Sequence, residues 1–148
     1  MKKKVGIIGS GNWGNKVVKI LKKISSVEFI CNSKSNFKKF SLEKIDWIFI
    51  LTPNKTHYSL VKYFLNKKCN VFCEKPLTLN YAKSLKLFEL SKNNNKKLYV
   101  DDIENFKKKK IKIKKNNNIY RAKNDSGSPR SLIYRLAYHD IYLLYNFL

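Results

Sequence analysis

Acidic residues are scarce in this chain: its 148 residues include 10 aspartates and glutamates against 32 lysines and arginines, a formal net charge of +22. Such a positive excess ordinarily points to a polyanionic partner. Arginine, which makes bidentate contacts with bases and phosphates, occurs only at Arg121, Arg130 and Arg135, and the rest of the excess is lysine. The sequence therefore does not favour nucleic acid as the partner, and a basic polyanion-binding protein is kept as an alternative.

Cysteine and long apolar runs are also sparse. The three cysteines, Cys31, Cys69 and Cys73, are odd in number and form no CxxC pair, which argues against a disulfide framework. Cys31 and Cys73 each end an apolar run and are predicted to be free core residues. No metal site is predicted. No apolar run approaches the ~20 residues that span a bilayer. The run after the first lysines breaks at glycine too soon for a signal peptide. These features predict a cytoplasmic protein with no membrane segment.

The residues that are present predict an α/β fold. Hydrophobic residues make up 43% of the chain, enough for a packed core. Short β-rich runs alternate with segments of helical periodicity, a pattern typical of βαβ units and a parallel sheet. The predicted strands are 4–8, 27–31, 47–51, 70–73 and 98–100, and the predicted helices are 12–24, 56–65 and 78–90.

We expect these strands to form a Rossmann-type, doubly wound parallel sheet in the order 3-2-1-4-5, with helices on both faces. The character of the chain changes after the fifth strand, because lysines dominate residues 107–115 and a polar stretch follows. A final helix is predicted over 131–148. The predicted domains are therefore a dinucleotide-binding domain over 1–106 and a basic connection with a C-terminal helix over 107–148.

A GxGxxG pattern lies between the first strand and the first helix, at residues 9–14. Its position after a strand and before a helix is the setting in which this pattern binds a dinucleotide. The first glycine permits a tight turn, the second lets the backbone approach a pyrophosphate, and the third lets helix and strand pack closely. The alternative is a glycine-rich turn without a ligand. The predicted contacts are Gly9, Gly11, Asn12, Trp13 and Gly14.

The end of the second strand bears on the choice of cofactor. A carboxylate that binds the ribose 2′-OH is usual there. Here Asn32 occupies that position, and Ser33 and Lys34 follow. An amide, a hydroxyl and an ammonium do not repel a 2′-phosphate, so the sequence favours NADP, or no strict choice between NAD and NADP. The alternative is that Asn32 only caps a turn.

Two further motifs follow the third and fourth strands: Thr52-Pro53-Asn54 with His57, and Glu74-Lys75-Pro76. With GxGxxG, this series resembles the glucose–fructose oxidoreductase/inositol dehydrogenase family over residues 3–106. The resemblance implies that Lys75 lies beside the nicotinamide, binds a substrate hydroxyl and moves its proton. It implies a sugar, nucleotide sugar or polyol substrate, and further cofactor contacts at Thr52, Pro53, Asn54, His57, Glu74, Lys75 and Pro76.

Each of these roles has a plainer alternative. Glu74-Lys75-Pro76 could be a strand end with a solvated ion pair, and His57 a residue that merely starts a helix. Near the C-terminus, His139 resembles the histidine of the family's Asp-x-x-x-His pair, which implies a catalytic acid or base. Arg135 replaces the aspartate, however, and a guanidinium cannot act as a base. His139 could equally pair with Asp140.

Members of the family continue for another domain, of which residues 107–148 would be a short remnant. Three functions compete. The chain is an NAD(P)-dependent oxidoreductase, completed by a homo-oligomer or a partner chain; it is a cofactor-binding module without turnover; or it is the basic polyanion binder named above.

Overall fold

The structure is a computed structural model and describes residues 1–32 and 34–101. The first compact unit of the chain ends at Asp101. The predicted boundary at residue 106, the helix over 131–148 and the proposed catalytic His139 lie outside the described residues.

Five parallel strands form the sheet, and every one matches a predicted strand to within one residue. They are β1 (Lys4–Ile8), β2 (Ser26–Cys31), β3 (Trp47–Ile50), β4 (Asn70–Cys73) and β5 (Leu98–Val100). The helices are α1 (Asn12–Ile24), α2 (His57–Asn66) and α3 (Tyr81–Asn93). Two short 3-10 helices, Phe37–Lys39 and Asn54–Thr56, lie in the connections before β3 and before α2.

The predicted strand order was wrong. The observed order is β2-β1-β3-β4-β5, so β3 pairs with β1 on the side opposite β2 instead of lying at the sheet edge. The apolar character of β3 explains this position, because Ile48 and Ile50 are completely buried and a central strand offers that burial. The order in which successive strands are added therefore reverses between β1 and β3, and the loops after these two strands border one crevice.

Helices cover both faces of the sheet, as predicted. On one face α1 packs Val18 and Leu21 against Ile7 and Leu51. On the other face α2 contributes the larger core, which includes Val61, Phe64 and Leu65 together with Leu87 of α3.

Some apolar residues of α1 and α3 are not buried. Ile20 and Ile24 on α1, and Leu85 and Phe88 on α3, are exposed. The helix α3 also begins at Tyr81 rather than at residue 78, because the Asn80 side chain caps it by accepting the Lys83 backbone N–H at 2.9 Å.

All three cysteines are free and buried, as predicted for Cys31 and Cys73. Burial raises the pKa of the Cys31, Cys69 and Cys73 thiols. Among the described residues, none of the helices is long and apolar enough to span a membrane.

Candidate functional site

The predicted motifs meet at one edge of the sheet because all five strands are parallel. At this edge the loops remain joined to the neighbouring strands by backbone hydrogen bonds of 2.8–2.9 Å, namely Gly9 N–H to Cys31 O, Leu51 N–H to Ile8 O, Glu74 N–H to Ile50 O and Asp101 N–H to Cys73 O. The carboxyl ends of strands in open α/β sheets are where ligands bind, next to the point of reversal.

The three glycines of the loop differ in the space around them. Two of them are closely packed, and the third has open space around it. Gly9 has φ +107°, and a Cβ there would lie 2.6 Å from the backbone of Leu51. A Cβ on Gly14 would lie 2.4 Å from the carbonyl oxygen of Gly9. A Cβ on Gly11 would meet no atom within 4 Å. Gly9 and Gly14 are therefore required for packing, while the fold itself does not need a glycine at position 11.

The N-terminus of α1 follows this open position. Gly11 is its N-cap, no side chain caps the helix, and its first turn contains no acidic residue. Asn12 and Trp13 are exposed. The first backbone N–H groups of α1 therefore have no capping side chain, and the positive end of the helix dipole favours an anion there.

Asn32 lies after β2 and next to the glycine loop, since Gly9 donates to the carbonyl of the preceding Cys31. Its Oδ1 accepts the Lys34 backbone N–H at 2.9 Å and the Ser35 hydroxyl at 3.0 Å. Asn32 therefore caps a turn, and this turn fixes the loop. Asn32 and Lys34 are exposed, and Ser33 lies outside the described residues.

The loop after β3 approaches the glycine loop. A Cβ on Gly9 would lie 2.9 Å from the nitrogen of Thr52, so these two backbones are in close contact. The Thr56 hydroxyl donates to the Thr52 hydroxyl at 2.7 Å, which closes the loop through the short helix Asn54–Thr56. Pro53 is exposed and Asn54 is half-buried.

His57, a predicted cofactor contact, is buried at the start of α2. Its side chain is only 1% exposed. Its Nε2 lies 2.8 Å from the carbonyl oxygen of Thr52, and its Nδ1 lies 2.8 Å from that of Pro76. The ring therefore joins the loop after β3 to the loop after β4, and is more than a residue that starts a helix.

The triplet after β4 is partly buried rather than fully solvated. The Lys75–Pro76 peptide bond is cis. Glu74 folds back so that its Oε2 accepts the Lys75 backbone N–H at 2.9 Å. Burial, a hydrogen bond to Asp101 and the charge of Asp101 together raise the pKa of Glu74 to about 7, against the lowering effect of the Lys75 backbone N–H and of the Lys75 charge.

Sequence reasoning missed Asp101, which follows β5 as Glu74 follows β4. The two side chains meet because these strands pair in parallel, with Cys73 opposite Val100. A carboxyl group directly after each of two strands was the available signal. No group of three or more potential metal ligands occurs within residues 1–32 and 34–101.

A family profile described as an oxidoreductase family with an NAD-binding Rossmann fold matches residues 26–102, just over half of the chain. An uncharacterized oxidoreductase of Streptococcus pneumoniae is 25% identical over 120 residues, which cover 70% of this chain and 33% of that protein. The glycine loop precedes the stretch matched by the profile.

Solved structures give the same fold. An NAD-binding protein from Listeria innocua is 25% identical, with a TM-score of 0.59, over 68% of this chain and 35% of its own. The Synechocystis biliverdin reductase, in complex with biliverdin and NADP⁺, is 27% identical, with a TM-score of 0.59, over 70% of this chain and 39% of its own. The present chain thus spans about a third of the length of these relatives. It belongs to the GFO_IDH_MocA family of oxidoreductases with the NAD-binding Rossmann fold.

Proposed function

We propose that this chain binds NAD(P) in the crevice between β1 and β3 and acts in hydride transfer at a hydroxyl or carbonyl carbon. The observation that carries the proposal is the open position at Gly11. The neighbouring glycines are explained by packing against Leu51 and Gly9, whereas a side chain at Gly11 would meet no atom of the described residues within 4 Å. A pyrophosphate at the uncapped end of α1 accounts for both the space and the missing cap.

The remaining residues of the crevice fit such a cofactor. The backbone N–H groups of Asn12 and Trp13 would bind phosphate oxygens, and the loop Thr52-Pro53-Asn54 would line the adjacent ribose. Asn32 and Lys34 would lie near the adenosine ribose, where they do not repel a 2′-phosphate. We therefore infer a preference for NADP over NAD.

Lys75 is proposed as the residue that handles the substrate proton. The bound nicotinamide would accept or supply the hydride. During oxidation the amine of Lys75 takes the proton of the substrate hydroxyl, and during reduction it returns that proton to the new alkoxide. The support for this role is its position at the carboxyl end of β4, in the loop that His57 joins to the crevice.

A sugar, a nucleotide sugar or a polyol is the substrate class that the family resemblance implies. The Synechocystis relative is a biliverdin reductase, so a carbon in an extended conjugated molecule is a second class to assay. His139 lies outside the described residues. Its proposed role as an acid or base comes from the family resemblance and is kept for the assays.

The proposed cofactor site is tested by titrating the purified protein with NADPH and with NADH at physiological ionic strength and following cofactor fluorescence. Gly11→Val places a side chain against the proposed pyrophosphate and is expected to abolish binding with the fold intact. Asn15→Val is the matched control, since it adds the same side chain at an exposed position on α1. Unchanged NADPH affinity in folded Gly11→Val protein would rule out this site.

Turnover separates the oxidoreductase from a cofactor-binding module. NADPH oxidation is followed with ketose, keto-nucleotide-sugar and biliverdin substrates, and NADP⁺ reduction is followed with sugar, nucleotide-sugar and polyol substrates. NADPH binding without turnover of any substrate class would indicate the cofactor-binding module. Binding that disappears in moderate salt and does not respond to Gly11→Val would indicate the polyanion binder instead.

A further inference from the structure

The buried His57 makes two contacts that a neutral imidazole cannot satisfy together. Its partners, the carbonyl oxygens of Thr52 and Pro76, both lie at 2.8 Å and both accept hydrogen bonds only. A neutral ring has a single N–H, so its second nitrogen would direct a lone pair at a carbonyl oxygen. An imidazolium has two N–H groups and donates to both.

The two carbonyls belong to the loops that border the proposed cofactor crevice. Thr52 follows β3 and its backbone lies against Gly9, while Pro76 directly follows Lys75. The His57 backbone is fixed at the start of α2, and its side chain is 1% exposed. A single ring therefore fixes the backbone of the triplet relative to the glycine loop.

We propose that doubly protonated His57 is a positioning residue, which holds the loop containing Lys75 against the loop after β3 through two charge-assisted hydrogen bonds. This role for Lys75 rests on the proposed function, but the charge state and the two bonds do not. Hydrogen bonds from a charged donor are about twice as strong as neutral ones, which offsets part of the cost of burying the charge.

The titratable groups around this contact are few. The segments that hold the ring contribute Lys55 from the short helix, Tyr58 and Lys62 from α2, and Glu74 and Lys75 from the triplet, while Lys83 of α3 stacks over Tyr58. Glu74 is the one acid among these described residues. The two carbonyl dipoles, rather than an ion pair, are therefore the groups that would stabilise the charged ring.

The charge state is tested by ¹⁵N NMR of protein labelled at histidine. The chain has two histidines, so His139→Gln leaves the signals of His57 alone. We expect the imidazolium pattern at pH 7, with a proton on both ring nitrogens and nearly equal ¹⁵N shifts. A pattern with one protonated and one unprotonated nitrogen would overturn the proposal.

The positioning role is tested by amide hydrogen exchange in His57→Phe and His57→Gln, of which the second keeps one donor. Loss of a hydrogen bond to a charged group is expected to speed exchange in residues 51–57 and 74–78 by about 10- to 100-fold. Peptides from α1 serve as the internal control and should keep their rates. Unchanged exchange rates in both loops, in either folded variant, would show that the His57 ring does not hold the two loops together.

A probe of Lys75 itself completes the test without a substrate. Lysines are reductively methylated with ¹³C-formaldehyde, and the Lys75 signal is assigned with Lys75→Arg. Both His57 variants should shift this signal. In both variants without methylated lysines, kcat should fall more than the affinity for NADPH. An unmoved Lys75 signal would refute the positioning role. Absence of turnover in the parent protein would count against the proposed function alone.

Discussion

Replacing Gly14 by alanine should destabilise the fold, and the size of the effect follows from two distances. The new Cβ would lie 2.4 Å from the carbonyl oxygen and 3.0 Å from the carbonyl carbon of Gly9, and both atoms are backbone. The Gly9 loop cannot move freely, because its N–H is bonded to Cys31 O at 2.8 Å. Forcing such an overlap typically costs about 1–3 kcal/mol.

Better helix propensity offsets part of this cost, by up to about 1 kcal/mol for alanine against glycine. The expected loss in the free energy of unfolding is therefore about 1–2 kcal/mol. Urea denaturation, followed by circular dichroism, measures it as a lower midpoint at an unchanged slope.

Gly11→Ala is the matched control, since the same methyl group would meet no atom within 4 Å. Poorer N-capping and a less flexible unfolded chain offset one another, so its stability should change by no more than ~0.5 kcal/mol. Its affinity for NADPH should nevertheless fall. A Gly14→Ala protein as stable as the parent would refute the close contact with Gly9, and with it the division of roles among the glycines.

Three further outcomes are expected. Lys75→Ala should keep NADPH affinity within a few fold and cut turnover by about 10²–10⁴. Lys75→Arg should not restore turnover, because a guanidinium holds its proton too tightly. Turnover equal to that of the parent protein in stopped-flow assays would contradict the role of Lys75. The pKa of Glu74 is raised from its ordinary 4.5 to about 7, so the folded state binds more protons between these values. The free energy of unfolding should therefore fall as the pH rises from about 4.5 to 7. Urea titrations at several pH values should show a weaker pH dependence in Glu74→Gln. An equal pH dependence in the parent and the variant would show that Glu74 is not its cause. Asn32→Asp should weaken NADPH relative to NADH, since a carboxylate repels the 2′-phosphate, and an unchanged affinity ratio would place that phosphate elsewhere.

Local sequence signals predicted the strands and the glycine loop well. The run Trp47–Ile50 is apolar throughout, and Gly9, Gly11 and Gly14 lie between a strand and a helix, so residues close in sequence were sufficient. The order of the strands was not predictable in the same way, because pairing of β3 with β1 joins residues about forty positions apart. The continuous apolar run of β3, in which Ile48 and Ile50 are completely buried, was the one clue to a central position.

The sequence indicated which loops meet at the sheet edge, but not the contacts that their side chains make. Thr52, His57 and Pro76 were named as cofactor contacts, yet the ring of His57 is buried between the other two residues. Burial of a polar side chain depends on carbonyl groups of distant segments, which sequence periodicity does not reveal. The pairing of Glu74 with Asp101 was missed for the same reason.

The three buried thiols can be used to detect local opening of the sheet. Cys31 ends β2, Cys73 ends β4 and Cys69 precedes β4, so each samples a different part of the sheet. Thiolates attack disulfide reagents, and burial both shields these sulfur atoms and raises the pKa of each thiol. Each cysteine should therefore react only when the part of the sheet around it opens. Mass spectrometry of the labelled peptides would time the opening at the end of β2 and at the two ends of β4, without any engineered probe.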